Sequence, residues 1–271
     1  MSIAPQSFLS AIPADYWDEH QGQLDRHGRV AMSAGGLLVE RKGHRLLIDA
    51  GFGQHAERAP FGRINCGAFL DVLSQLGLRR TDIDAFALTH IHVDHTGWAF
   101  VDSPSGSRRP AFPNVPYFVS AREWEPLRRG ERSAGVPGES TLIEPLGALA
   151  ELRVIGEGDE VAPNAVAVVT PGHSAGHTSY VVTTSKGNRL VAFGDCFHTP
   201  AQLSRPEWLS DSDAYPEVVV AARRRILAEL CAPNTVGFAT HFGDQPFGVV
   251  TDALTWQPLP TTALLAPPRS V

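Results

Sequence analysis

Short apolar runs recur along the chain at positions 37–40, 45–49, 84–89, 117–120, 152–155, 166–170, 179–183, 189–194 and 235–240. They are too short for helices and several are rich in β-branched residues, as in AVAVVT and SYVVTT, so they predict strands. Longer stretches with helical spacing lie between them. Positions 67–78 bring Phe69, Leu70, Leu73 and Leu76 near one face, and 121–129 starts after Ser120, a residue suited to a helix N-cap. A third amphipathic stretch, 215–231, stops ahead of Pro233. Lys42-Gly43 and Lys186-Gly187 punctuate neighbouring strands as hairpin turns, which predicts a mixed α/β sandwich and not a regular βαβ winding.

No internal repeat or compositional break divides the chain, so one domain is expected over 1–256, with an irregular segment over 1–36. The Pro-containing stretch 257–271 is expected to be a mobile tail. The Ser-, Gly- and Pro-rich stretch 101–116 reads as a long surface loop, placed to border a site.

Composition narrows the setting. The 271 residues carry 23 Lys+Arg against 29 Asp+Glu, a formal charge of −6, with 43% hydrophobic and 19% charged residues. That is the profile of a globular protein able to bury a core without staples. The negative balance and the lack of a long basic run disfavour a nucleic-acid partner. No apolar stretch approaches the length of a membrane span, and the opening MSIAPQSFLSAIPADYWDEH lacks the basic and apolar regions of a leader. Cys66, Cys196 and Cys231 are too scattered for a disulfide framework, so reducing cytoplasm is the expected location.

The chemistry concentrates in Thr89-His90-Ile91-His92-Val93-Asp94-His95-Thr96-Gly97, directly after the apolar run DAFAL. Alternate side chains on an extended backbone share a direction, so His90 and His92 can chelate one cation. A turn after them would present Asp94 and His95 to a neighbouring position. So many ligand types in so short a span would do little for a fold and suit a metal site well. Three more candidates follow other apolar runs: His173 in VAVVTPGH, Asp195 in RLVAFGD and His241 in TVGFATH. Strand ends gathered on one sheet edge would bring them together, and seven side chains can serve two zinc-type cations if one carboxylate is shared.

Several neighbours are less decisive. His177 reads as a residue that fixes its loop by hydrogen bonding. His198 suits substrate contact and loop packing equally, while strand alternation is expected to turn Cys196 away as an inert buried thiol. Trp98, Phe197, Trp208 and Phe242 are candidates for an apolar pocket, although core packing is the commoner fate of such residues.

Together these residues resemble the metallo-β-lactamase-fold hydrolases, with their HxHxDH motif followed by a single His, a bridging Asp and a final His. The resemblance runs from LLIDAGFG through THFG, and it implies an αββα sandwich with a dinuclear site at one edge between the sheets. It further implies that His90, His92 and His173 bind one metal, that Asp94, His95 and His241 bind the other, and that Asp195 bridges them. Asp49 would support the site without being a ligand. The implied chemistry is attack by a metal-bridging hydroxide, with Asp94 or Asp195 relaying a proton. Two divalent ions are expected; zinc suits the mixed ligands best, and manganese, iron or cobalt also fit.

A carboxylate at Asp195, where true β-lactamases of this fold commonly have Cys, and the runs GD-x-x-H-x-P-x-Q and THF are similar to the branch of N-acyl-homoserine lactonases and methyl parathion hydrolase. The resemblance therefore implies hydrolysis of a small-molecule lactone or other ester. Thioester, phosphotriester or phosphodiester hydrolysis, or a specialised metabolic step, is the alternative. A metal-binding protein without turnover is disfavoured because every ligand position is filled. Residues 1–36 leave room for packing on a partner subunit in a homodimer.

Overall fold

The computed structural model describes residues 1–104 and 106–260. Two sheets face one another. The first has the order β11-β10-β7-β4-β3, made by β3 (Leu37–Arg41), β4 (His44–Ile48), β7 (Ala85–Ala87), β10 (Tyr117–Ser120) and β11 (Leu152–Ile155). The second runs β12 to β18 in sequence order: β12 (Glu160–Ala162), β13 (Ala165–Val169), β14 (Thr178–Thr183), β15 (Arg189–Ala192), β16 (Thr235–Phe238), β17 (Phe247–Val250) and β18 (Trp256–Pro258). The β3–β4 hairpin turns on Lys42 and Gly43, both at positive φ (50° and 79°). This turn type matches the twist of the strands it joins.

Alternation along the strands explains the layers. In β4, Leu46 and Ile48 face the second sheet and Leu47 faces outward; β7 repeats this with Ala85 and Ala87 against Phe86. In β14, Tyr180 and Val182 face the first sheet while Val181 points the other way. Strands buried on both faces read as continuous apolar runs, and each fully buried Leu, Ile or Phe contributes about 1.5–3 kcal/mol. Helices α2 (Phe69–Gln75), α4 (Ala121–Arg128) and α5 (Glu144–Gly147) cover the outer face of the first sheet through Leu73, Trp124, Leu127 and Leu146. Helix α7 (Pro216–Leu230) covers the second through Ile226, Leu227 and Leu230. The result is the αββα sandwich, and the tyrosine hydroxyl of Tyr180 crosses it to donate to the Leu88 carbonyl at 2.7 Å.

Several expectations need correction. The segment 1–36 carries β1 (Ser2–Ile3), α1 (Ala14–Glu19) and β2 (Val30–Ala31). These strands join β5 (His55–Ala59) and β6 (Gly62–Cys66) in a sheet of order β2-β1-β6-β5. The segment packs on its own chain: Ile3, Leu9, Ile12 and Trp17 cluster with Ala201 of α6 (Ala201–Ser204). The 101–116 stretch holds a hairpin of β8 (Phe100–Asp102) and β9 (Arg108–Pro110), followed by fully buried Ala111 and Phe112. Leu76 lies beyond the end of α2 and is exposed, and Ser120 sits at the N-cap of α4 without a capping bond from its hydroxyl. Of the stretch expected to be a tail, Gln257 and Pro258 belong to β18, and 261–271 lie outside the described residues.

Candidate metal centre

Strand direction gathers the ligands. β4 and β7 are parallel, so Asp49 and the His90–His95 motif leave the first sheet at one edge. β13 and β15 both run antiparallel to β14, and β16 is parallel to β15, so His173, Asp195 and His241 leave the second sheet at a common edge as well. The short helix α3 (Val93–Thr96) follows His92. Gly97 closes it against the β4 exit, where a Cβ would meet the Phe52 carbonyl carbon at 1.8 Å, so only glycine fits.

The sequence-predicted ligands come together in two groups. His90, His92 and His173 form one, and Asp94, His95, Asp195 and His241 form the other, with donor atoms inside each group lying within 4.8 Å of one another. The Asp195 carboxylate stands between them. Its Oδ2 is 3.1 Å from His173 Nε2 and 3.8 Å from His90 Nε2, while its Oδ1 is 3.1 Å from His95 Nε2 and 3.0 Å from His241 Nε2. Asp94 Oδ2 lies 3.5 Å from His241 Nε2 and 3.7 Å from His95 Nε2.

The donors fit a pair of cations. His90 Nε2, His95 Nε2 and Asp195 Oδ1 are buried without a well-aligned hydrogen-bond partner, an arrangement that costs stability unless something else satisfies them. The ring nitrogens His173 Nε2 and His92 Nδ1 face each other at 3.0 Å. Electrostatics agrees. Burial, reinforced by the surrounding histidines, drives His90 well below the usual imidazole range and His92 down to about 4. Burial also opposes charge on His95 and His241, yet the carboxylates, Asp195 foremost, outweigh it and raise both. Asp195 is held well below the carboxylate range by its histidines despite burial. The site thus favours positive charge beside Asp195, which divalent ions supply without a proton.

Hydrogen bonds behind the donors orient them. His241 Nδ1 donates to the Ser33 carbonyl at 2.7 Å, leaving Nε2 bare toward the site. His95 Nδ1 is 2.8 Å from Asp49 Oδ2, and Asp49 also accepts from the Thr89 amide and hydroxyl, both at 2.8 Å. Asp49 is held at φ 61°, a left-handed conformation that aspartate tolerates better than most residues. The Asp195 amide donates to His177 Nε2 at 2.9 Å, so the His177 Nδ1 proton goes to Thr170 Oγ1 at 2.8 Å. Burial lowers His177 to about 3, which keeps it the neutral acceptor this bond requires. Gly194 makes room for that ring, since a Cβ there would lie 2.6 Å from His177 Nε2.

One other candidate joins the cluster and the rest lie elsewhere: His173, Asp195 and His198 form a third set of donors close enough together to hold an ion. His198 is buried with its Nε2 3.2 Å from Asp195 Oδ2, stacked on the His241 ring, and it does not line the cavity. Cys196 is buried, and burial raises its thiol to about 11; it sits in a tight helical turn, Gly194–Cys196, and not on the strand expected to turn it away. Phe197 and Phe242 belong to the core under α7, Trp98 lines a separate cavity, and Trp208 packs with the N-terminal cluster. None of the four lines the cavity over the cluster. Sequence reasoning missed Asp213, whose Oδ1 lies 3.4 Å from His173 Nδ1. Its Ser-Asp-Ser-Asp surroundings read as an ordinary turn.

A cavity of about 480 Å³ opens over the cluster. His92, Asp94, His173, Asp195 and His241 form its floor, and Phe8, Met32, Phe52, Phe61 and Ile64 are among its apolar walls. None of the described residues of 101–116 lines it.

The sequence pattern of the metallo-beta-lactamase superfamily matches residues 36–230, well over half of the chain. The chain belongs to that superfamily. Among its relatives, the anti-Pycsar protein Apyc1 of Saccharibacillus brassicae is 29% identical over 64% of this chain and 62% of its own length. The chain thus spans less than two thirds of that relative. An N-acyl homoserine lactonase of Bacillus cereus is also 29% identical, over 78% of this chain and 82% of its own. The fold matches that of AidC, a dizinc quorum-quenching lactonase solved with a product, with a TM-score of 0.74 at 20% identity over 96% of this chain and 90% of that one. The fold is that of the superfamily, and the donor cluster is one that could hold metal ions. No helix among the described residues is long and apolar enough to cross a membrane.

Proposed function

We propose that the protein hydrolyses a neutral lactone or carboxylic ester bearing an apolar chain, with N-acyl homoserine lactones as the leading candidates. His90, His92 and His173 would hold one divalent ion and Asp94, His95 and His241 the other, with Asp195 shared. The observation that carries this reading is the Asp195 carboxylate, whose two oxygens address the two donor groups separately. Zinc suits the imidazole-rich donor set and is the metal named for AidC. When bound, such ions lower the pKa of a shared water toward neutrality and polarise a carbonyl.

The chain's own residues do the rest. Asp49, Ser33 and His177 hold donor atoms in position, and the roof around Phe8 and Phe61 excludes water from an apolar substituent. Asp94 keeps partial access to the cavity and is placed to take a proton from the attacking water and pass it to the oxygen that leaves as the ester opens.

Charge discriminates among substrates. The described residues lining the cavity include Glu57 and Asp211 and no Lys or Arg, so apart from the ions themselves the walls offer an anionic phosphodiester no positive partner, and a neutral ester needs none. The free state of Cys66, Cys196 and Cys231 supports a reducing, cytoplasmic setting.

The test is elemental analysis of the purified chain together with an assay panel of acyl-homoserine lactones, simple lactones, aryl esters, thioesters, a phosphotriester and a phosphodiester. Two ions per chain and highest kcat/KM on long-chain lactones are expected. A preference for the phosphodiester would overturn the substrate assignment.

A further inference from the structure

Arg223, on α7, is the bulkiest of the fully buried side chains. A guanidinium stays charged in a protein, so burial is tolerable only where its N–H groups and its charge are matched. Here they are. Nε donates to the Cys196 carbonyl at 2.6 Å, Nη1 to the carbonyls of Pro206 and Trp208, each at 3.0 Å, and Nη2 to Asp213 Oδ2 at 2.7 Å.

Two of these contacts lead to the metal centre from opposite sides. The other oxygen of Asp213 faces His173 Nδ1, the ring nitrogen turned away from the donor group. Cys196 follows Asp195 directly, so its carbonyl belongs to the turn that presents the shared carboxylate. An apolar side chain of similar volume would fill the same space without the desolvation cost, so core packing alone does not account for a charge here.

We propose that Arg223 is a positioning residue for the metal centre: through Asp213 it sets the ring of His173, and through the Cys196 carbonyl it sets the turn carrying Asp195. Retention of the ion held between His173 and Asp195 then depends on a side chain of the covering helix. The inference rests on the ligand assignment above.

The test uses the full chain, its Arg223→Met and Asp213→Asn variants, and the double variant. Each is stripped with chelator, checked by circular dichroism and melting, and titrated with zinc against a chromophoric chelator. The parent chain is expected to take up two zinc ions. Each variant should keep the metal-free fold and bind one of the two ions about 10–100-fold more weakly, as removal of a partner behind a metal ligand typically does. The double variant should be no weaker than the worse single one, because Asp213→Asn removes only a link that Arg223→Met has already broken at its other end. Asp213→Asn, nearly isosteric, decides the matter if Arg223→Met fails to fold. Folded variants with parental affinity for both ions would overturn the proposal, as would failure of both single variants to fold, which would make the pair a requirement of the core. If the parent chain itself takes up no zinc, the ligand assignment fails and this inference falls with it.

Discussion

On the floor of the cavity, donor side chains leave the ends of β7, β13, β15 and β16 and are buried, except for Asp94 and His92, which keep partial exposure. The roof is apolar and comes largely from the N-terminal sheet and the turns around it, through Ile3, Phe8, Met32, Phe61 and Ile64. The floor is held by directional bonds behind its side chains, His95 on Asp49, His173 on Asp213 and His241 on the Ser33 carbonyl. The roof is held by ring and side-chain contacts, such as Phe8 against Phe61 at 6.1 Å and against His198 at 5.4 Å. Directional bonds confine atoms to a reactive geometry, whereas apolar contacts shape a volume and leave room for different substrates. Reaction type should therefore follow the floor and substrate choice the roof.

The largest effect is expected at the shared carboxylate. Asp195→Asn should lower kcat/KM by more than about 100-fold on every ester tried and reduce the ion count per chain, since loss of a ligand exceeds the usual cost of losing its supporting partner. Elemental analysis beside a kinetic assay checks both. Next comes Asp49→Asn, which leaves all seven proposed donors in place but removes the anion behind His95. Zinc affinity should fall about 10–100-fold in a chelator-competition titration.

The roof should respond differently. Phe8→Ala or Phe61→Ala should raise KM for long-chain lactones about 10-fold, consistent with the loss of one aromatic contact surface, and leave kcat within about 2-fold. Short-chain substrates should hardly notice. An equal loss for short and long chains would erase the proposed division between floor and roof.

The smallest effect concerns the bracing behind the floor. Glu123 of α4 is buried and accepts the Ser174 hydroxyl, next to His173, and burial pushes its carboxyl up to about 8. An unfolded Glu releases its proton near 4.5, so between about 4.5 and 8 the folded state binds more protons than the unfolded one. Stability from this group is complete below that window and is lost as pH rises through it. Urea unfolding should show a decline across the window that Glu123→Gln removes, seen as a difference between the parent chain and the variant.

The same contrast explains what the sequence reveals. The strands of the first sheet and β13 to β16 of the second are legible because burial leaves apolar runs, whereas β12, β17 and β18, toward the ends of the second sheet and partly exposed, are not. The proposed donors are legible because they stand at the ends of such runs, four of the seven in one compact motif. Residues 1–36 look irregular because their strands are two residues long and acquire meaning only by pairing with each other and, through β1, with β6 farther along the chain. Asp213, Ser33 and the cavity's aromatic walls are hidden for the same reason: each matters through a contact distant in sequence. Phe197 and Phe242 mislead in the opposite sense, since proximity to Asp195 and His241 in sequence does not survive the turn at each strand end.

The central claim is that one buried carboxylate is shared by two ions, and anomalous scattering from crystals of the metal-loaded protein tests it most directly. Two peaks are expected, one beside each oxygen of Asp195, with His90, His92 and His173 around the first and Asp94, His95 and His241 around the second. A single peak, or two peaks that do not flank Asp195, would contradict it.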